Sequence, residues 1–215
     1  MVVTSQSPKP RTRLYVKEAV LSPGSACVLE GASAHYVLHT LRAREGETLA
    51  LFNGVTGEWL ATIAQIQKKS IRLHVESQRK PQRSAPPIGL WFAPVKSEKI
   101  DFIVKRAVEL GVHSLQPVMT QYTMVSRVNM ERLTANAIEA AEQCGRTDIP
   151  AIYAPVELSL LLSRGNSAHT LLFCDEEGKG EPLRTLLPRL QPGLPYTVLT
   201  GPEGGFSPQE RSILR

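Results

Sequence analysis

The sequence predicts a two-part α/β protein: a small β-barrel with one helix, then a mostly parallel sheet covered by helices. Three observations carry this. The stretch Gln78-Arg79-Lys80-Pro81-Gln82-Arg83-Ser84-Ala85-Pro86-Pro87 is polar, Pro-rich and free of Val, Ile, Leu and aromatic residues, so it cannot join a core and divides the chain. Ahead of it, apolar and polar residues alternate as in half-buried strands. Behind it, apolar runs alternate with helical stripes, the pattern of a parallel sheet with crossover helices. The expected domains are residues 1–77, a linker over 78–87, and residues 88–215.

Residues 1–10 are polar and contain two prolines, without the apolar core of a secretory signal; a frayed tail is expected. Leu14-Tyr15-Val16 starts the barrel. Ala34, Val37, Leu38 and Leu41 share one face of a short helix, with Gly46 just beyond as a stop. A strand from Thr48 to Phe52 runs into Asn53-Gly54, a strong turn signal, and a second strand covers Glu58 to Ile66. Then Ile71, Leu73 and Val75 alternate with Arg72, His74 and Glu76, one face buried and one wet. Strands at this spacing within about 70 residues make a small barrel.

After the linker, residues 88–95 read as a buried strand. Ser97 is the expected cap of a helix with Ile100, Ile103, Val104, Ala107, Val108 and Leu110 on one stripe, closed by Gly111. Leu115 to Met119 is the next strand. Asn129 caps a helix over residues 130–143. Further strands cover residues 169–174 and 196–199, with a helix over 182–190 between them.

The net charge is +5. Residues 1–77 hold nine Lys/Arg against six Asp/Glu, residues 78–87 add three cations and no acid, and residues 88–215 hold thirteen against fourteen. The positive excess lies in the first part and the linker, which suits a polyanion such as RNA as well as an ordinary solvated surface. Three scattered cysteines, Cys27, Cys144 and Cys174, fit a reduced, cytoplasmic protein. His35 and His39 lie four apart without an evident third ligand, so no metal is expected. No apolar run approaches a membrane span.

The most specific stretch is Leu199-Thr200-Gly201-Pro202-Glu203-Gly204-Gly205-Phe206, directly after the last strand. Ser207, Pro208 and Glu210 then supply a cap, a first helical residue and a capping box. Strand, glycine loop and helix start bring backbone N–H groups together with no side chain to block a ligand. A phosphate loop would carry Lys or Ser/Thr; this one carries Glu203, which repels phosphate and suits a cation, a ribose hydroxyl or an amine. The residues alone leave open a tight turn with a surface Glu.

Gly201-Pro202-Glu203-Gly204-Gly205 after a strand closely resembles the cofactor loop of the RsmE-type RNA methyltransferases, in the SPOUT (trefoil-knot) superfamily. Lys96-Ser97-Glu98-Lys99-Ile100-Asp101 with Ala107-Val108-Glu109-Leu110-Gly111-Val112 looks like that family's first strand–helix unit. Glu142-Gln143-Cys144-Gly145-Arg146, then Ile149-Pro150, is similar to its Glu-Gln-Cys-Gly-Arg segment. His35, Leu41-Arg42, Gly46 and Phe52-Asn53-Gly54 resemble its PUA-like barrel. The four motifs occur in the family's order over nearly the whole chain.

The resemblance implies an N-terminal PUA-like β-barrel that binds RNA and a C-terminal SPOUT α/β knot domain. It implies methyl transfer from S-adenosylmethionine to N3 of a uridine in small-subunit (16S) ribosomal RNA, by a homodimer. By position, Leu199, Thr200, Gly201, Pro202, Glu203, Gly204 and Gly205 would hold the cofactor. Two departures stand beside this. The family pattern continues past residue 215 into a further strand and a Leu-Gly-Pro segment, so either the sequence is cut short, which is the expected case, or the chain cannot close its pocket; in both cases an inactive 215-residue form is expected. Where the family often has an Arg after the second strand, this chain has Gln121-Tyr122-Thr123. The rival readings are a non-catalytic RNA-binding protein on the same scaffold, and a SPOUT methyltransferase acting on another RNA.

The chemistry sets its own needs. Uracil N3 carries a proton and is a poor nucleophile until it leaves, so a base or a cation that favours the anion is required. The methyl donor is a sulfonium, and attack must be in line. Arg146 and Lys96 are the expected anion-stabilising residues, or alternatively a local ion-pair partner and a snorkelling helix-start lysine. Glu203 would orient cofactor or substrate, or act as base. Arg11, Arg13, Arg42, Lys68 and Lys69 are the expected phosphate contacts on the barrel. Tyr15, Phe52 and Trp59 are its aromatic candidates for base stacking, with Phe52 expected in the core.

Overall fold

Period-two patterning assembles the first unit. In the computed structural model, which describes residues 9–163 and 169–215, β1 (Arg13–Tyr15), β2 (Ala26–Glu30), β3 (Thr48–Phe52), β4 (Glu58–Ile66) and β5 (Ser70–Lys80) form one sheet in the order β1-β3-β4-β5-β2. Residues 1–8, most of the expected tail, lie outside the described residues. In β5, Ile71, Leu73 and Val75 are fully buried while Arg72, His74 and Glu76 are exposed. The inward rows pack with Leu29, Leu49, Leu51 and Ile63 into a single apolar core. Closing the curled sheet over that core is what a strand set of this length achieves.

Three local features differ from expectation. Strand β2 was hidden in the sequence, yet it alternates Cys27 and Leu29 inward with Ala26, Val28 and Glu30 outward, paired antiparallel to β5. The expected short helix divides into α1 (Gly31–His35) and a π-helical turn (Tyr36–Thr40), closed by the Leu41 N–H on the Tyr36 carbonyl at 3.0 Å. Strand β5 runs on through Gln78, Arg79 and Lys80, residues expected in the linker. The reason is Glu58 on β4. Its side chain is fully buried, and Arg13, Arg79 and Lys80 all pair with it, so the strand end is drawn in by charge rather than apolar area.

In the second unit every strand pairing is parallel. Strands β6 (Ile88–Phe92), β7 (Ser114–Met119), β8 (Ala151–Ile152), β10 (Thr170–Cys174) and β11 (Tyr196–Thr200) lie in the order β10-β11-β6-β7-β8, and β9 (Val156–Glu157) pairs with the end of β7. Helix α2 (Ser97–Glu109) links β6 to β7, and α3 (Met130–Cys144) follows β7. Lys96, with extended backbone, occupies the capping position expected of Ser97. Gly111 ends this element with φ +88°, and the Asn129 side chain caps α3 by accepting the Arg132 N–H at 3.0 Å. Strands β8 and β9 and helix α4 (Leu158–Ser163) are too short to have announced themselves by period. The helix expected over residues 182–190 is α5 (Leu183–Leu186) and a 3-10 turn (Leu187–Arg189), because Pro188 brings no N–H to continue an α-helix. Helix α6 (Pro208–Leu214) starts with the expected capping box.

By contact, residues 145–148 group with the barrel unit although they follow α3 in the chain. Among the described residues, no helix is long and apolar enough to cross a membrane.

Candidate cofactor loop and nucleic-acid interface

The loop after β11 is fixed at both ends by apolar anchors. Leu199, the last inward residue of β11, is fully buried beside Val118 and Leu158. Phe206 returns to the same cluster and meets Phe173 edge-on, with ring centroids 5.0 Å apart. A Cβ on Gly201 would fall 2.6 Å from the Phe206 ring, so only glycine lets the loop fold back on its own anchor. Gly205 has φ +70°, and a Cβ there would strike the Glu176 carboxylate. That carboxylate accepts the Phe206 N–H at 3.0 Å. Arg211 on α6 binds Asp175 and Glu176 in turn, and Arg215 adds a contact to Asp175 at 2.6 Å. The acidic turn after β10 is thus laced to α6, and the loop backbone is held between them.

The one carboxylate on the loop faces two lysines. Lys99 Nζ bonds Glu203 Oε1 at 3.0 Å. That bond first, then the residue's own backbone N–H and the charges of Lys99 and Lys96, hold the Glu203 carboxyl below the usual glutamate range. A carboxylate held down in this way is a weak proton acceptor and a persistent negative charge. Lys96, Lys99 and Glu203 therefore form one local group at the carboxyl end of the parallel sheet. Beside it a cavity of about 500 Å³ is lined by Val95, Phe102, Ile103 and Pro202, with Glu98 and Glu203.

Arg146 belongs to the barrel unit. Its guanidinium engages Asp148 in a two-point pair, Nε to Oδ1 at 3.0 Å and Nη2 to Oδ2 at 2.8 Å, and is nearly buried. The expected phosphate contacts divide into two groups. Arg13 is nearly buried against Glu58, lies over the Phe52 ring and also donates to the Arg146 carbonyl. Arg11 pairs with Glu47 at 2.6 Å and donates to the Leu41 carbonyl. Arg42, Lys68 and Lys69 are exposed, and none of them forms an ion pair among the described residues. Arg42 has φ +50°, a left-handed conformation that a non-glycine residue rarely adopts. Of the barrel aromatics, Phe52 is fully buried and Trp59 nearly so, its Nε1 donating to the Thr56 carbonyl at 3.0 Å. Tyr15 packs on Phe52 with centroids 5.6 Å apart. The Phe52 and Trp59 rings build the core and are not open to bases, because a barrel this small needs its large side chains inside.

His35 and His39 face each other with ring centroids 4.5 Å apart, and no group of three or more metal-type side chains forms among the described residues. All three cysteines are free thiols. Sequence reasoning missed Lys99, Glu176 and Glu58. Each is an ordinary charge in its local stretch and acquires a role only from a partner at least 21 positions away.

Comparison with known proteins agrees with this geometry. Residues 82–215 match the RNA methyltransferase domain family, and residues 29–76 match the RNA methyltransferase PUA domain family. The chain is 29% identical to ribosomal RNA small subunit methyltransferase E of Rickettsia conorii, covering 94% of this chain and 82% of that protein. It is 27% identical to the enzyme of the same name from Synechocystis, of which it spans 62%. A methyltransferase from Legionella pneumophila, solved with bound cofactor SAM, superposes with a TM-score of 0.82 at 28% identity, over 94% of this chain and 84% of that one. Ribosomal RNA small subunit methyltransferase E from Neisseria gonorrhoeae, bound to S-adenosyl methionine, gives 0.83 at 25% identity over the same shares.

Proposed function

The chain belongs to the RNA methyltransferase family, and on that premise we propose that it transfers the methyl group of S-adenosylmethionine to N3 of a uridine in small-subunit ribosomal RNA. The observation that carries this reading is the loop of residues 199–205, pinned at the carboxyl end of an interior parallel strand beside a cavity of about 500 Å³ that Gly201, Pro202 and Glu203 help to line. The residues of that cavity fit the donor. Apolar neighbours suit a heterocycle, and the Glu203 charge suits a positive sulfur. The bound donor supplies an electrophilic methyl carbon.

The chain's own residues position and polarise. Leu199, Thr200, Gly201, Pro202, Glu203, Gly204 and Gly205 hold the cofactor, mainly through backbone groups. Glu203 orients rather than deprotonates, since its carboxyl is held low. Lys96, beside it, favours the uridine anion by its charge. With the donor bound, these residues would hold N3 in line with its methyl carbon, the N3 proton having passed to solvent water, and transfer would leave the sulfur as a neutral thioether. Arg146, oriented by Asp148 within the barrel unit, is a further candidate cation for the RNA. On the barrel, Arg42, Lys68 and Lys69 grip phosphates, with Arg11 and Arg13 as paired cations that shape the same unit. The working form is a homodimer, in the cytoplasm, with no metal.

The test is transfer of isotope-labelled methyl groups to small-subunit ribosomal RNA, followed by nucleoside mass spectrometry. Label in 3-methyluridine is expected. Label at another position, or in another RNA only, overturns the substrate assignment. RNA binding without any transfer or cofactor binding, in this chain and in one extended by the family's further segment, overturns catalysis. Light scattering at twice the chain mass is expected for the dimer.

A further inference from the structure

Between β7 and α3 the chain makes a tight turn that presents an aromatic ring to solvent. Thr120 and Thr123 lock the turn. The Thr120 N–H donates to the Thr123 hydroxyl at 3.0 Å, the two hydroxyls lie 2.9 Å apart, and the Thr123 N–H returns to the Thr120 carbonyl at 3.1 Å. The turn is also tied to α6, because the Gln121 N–H donates to Glu210 Oε1 at 2.8 Å while the other oxygen of that carboxylate completes the capping box. Tyr122 sits at the apex. Its Cβ lies against Gly204, where a side chain on the glycine would be only 3.3 Å away. The residue is 41% exposed, and among the described residues its hydroxyl makes no hydrogen bond. Met124, two residues on, is 92% exposed.

Tyr122 is partly open to water, and the turn that carries it is fastened at both ends. Its position is specific, since the same turn borders the loop assigned to the cofactor. Catalysis on a base inside structured RNA requires that base to leave its stack and find a new one, and aromatic side chains supply that surface. Tyrosine does so at low entropy cost, with two torsions and a polar tip for the wet side. We propose that Tyr122 is the stacking platform that receives an unpaired pyrimidine of the RNA substrate beside the cofactor loop, with Met124 covering the open edge. This rests on the methyltransferase reading and deepens it by naming a residue that holds the target base.

The test is photocross-linking of the wild-type protein to small-subunit ribosomal RNA fragments substituted with 4-thiouridine. Cleavage at Arg106 and Arg127 isolates Tyr122 on a peptide with no other tyrosine, and mass spectrometry is expected to place the adduct on that residue. In parallel, Tyr122→Ala is expected to raise KM for RNA about tenfold or more, the range for losing one base–aromatic stack, while Tyr122→Phe stays near wild type. Alanine keeps the Cβ that touches Gly204, so the affinity for S-adenosylmethionine should hold in both variants. Binding of RNA without an adduct on this peptide, or a Tyr122→Ala variant with wild-type KM, overturns the platform and leaves the methyltransferase reading intact. A changed oligomeric state in Tyr122→Ala, with no adduct, assigns the ring to a protein interface and also overturns it. A wild-type protein that binds neither RNA nor cofactor overturns both.

Discussion

Lys99 and Glu203, 104 positions apart, meet at 3.0 Å where the first helix of the parallel unit passes the loop after β11. Both are exposed, so the pair adds little to stability. What it controls is the charge and direction of the only carboxylate on the loop.

Lys99→Gln should therefore leave the thermal midpoint nearly unchanged and weaken cofactor binding severalfold, read by titration calorimetry. The pH profile carries the sign. Glu203 in the wild type stays ionised to lower pH than an ordinary glutamate. Losing Lys99 moves its titration upward, so the acid loss of cofactor affinity should begin at higher pH in the variant. An unchanged profile would mean that Glu203 does not face the cofactor.

Gly205→Ala tests the other end of the loop. The positive φ alone imposes about 1–3 kcal/mol of strain on a residue with a Cβ. The added carbon would also displace Glu176 and release the Phe206 N–H. The expected result is a folded protein by circular dichroism with cofactor affinity reduced at least tenfold.

In the barrel, Glu58→Gln leaves the nearly buried Arg13 and the partly exposed Arg79 facing a neutral amide. A loss of about 3–5 kcal/mol in urea unfolding is expected, the range for breaking a buried pair from one side. Burial pushes the Glu58 carboxyl up, but the hydrogen bonds and charges of Arg13, Arg79 and Lys80 outweigh it, and the net shift is downward. The stabilisation is thus complete above the unfolded-state pKa and fades as pH falls through the lower folded-state value. Glu58→Gln should flatten that acid limb.

Lys68→Ala with Lys69→Ala addresses the RNA grip at the β4–β5 turn. Binding should weaken for all RNA sequences alike, and the slope of log affinity against log salt should shrink by about 0.7–0.9 per lysine. Arg13→Ala, by contrast, should lower stability first, because its guanidinium holds Glu58.

How much of this was legible in the chain follows the range of each interaction. The alternation of Ile71, Leu73 and Val75, the stripe of α2 as far as Val108, the Asn129 cap and the Ser207–Glu210 box are local, and neighbours within four residues decide each; Leu110, expected on the same stripe, is 84% exposed because it lies past the helix end. The loop of residues 199–205 stood out for the same reason. The short β8, β9 and α4 escaped because a few residues do not complete a period.

The sequence by itself settled where the clearly patterned strands and helices lie and which loop joins the last strand to a capped helix, since propensity and patterning act along the chain. Only the tertiary structure decided which charges meet: that Lys99 reaches Glu203, that Glu176 catches the Phe206 amide, that Glu58 pulls Arg79 and Lys80 into a strand. Coulombic and hydrogen-bond partners are chosen by distance in space, and folding brings together residues that no local spacing connects.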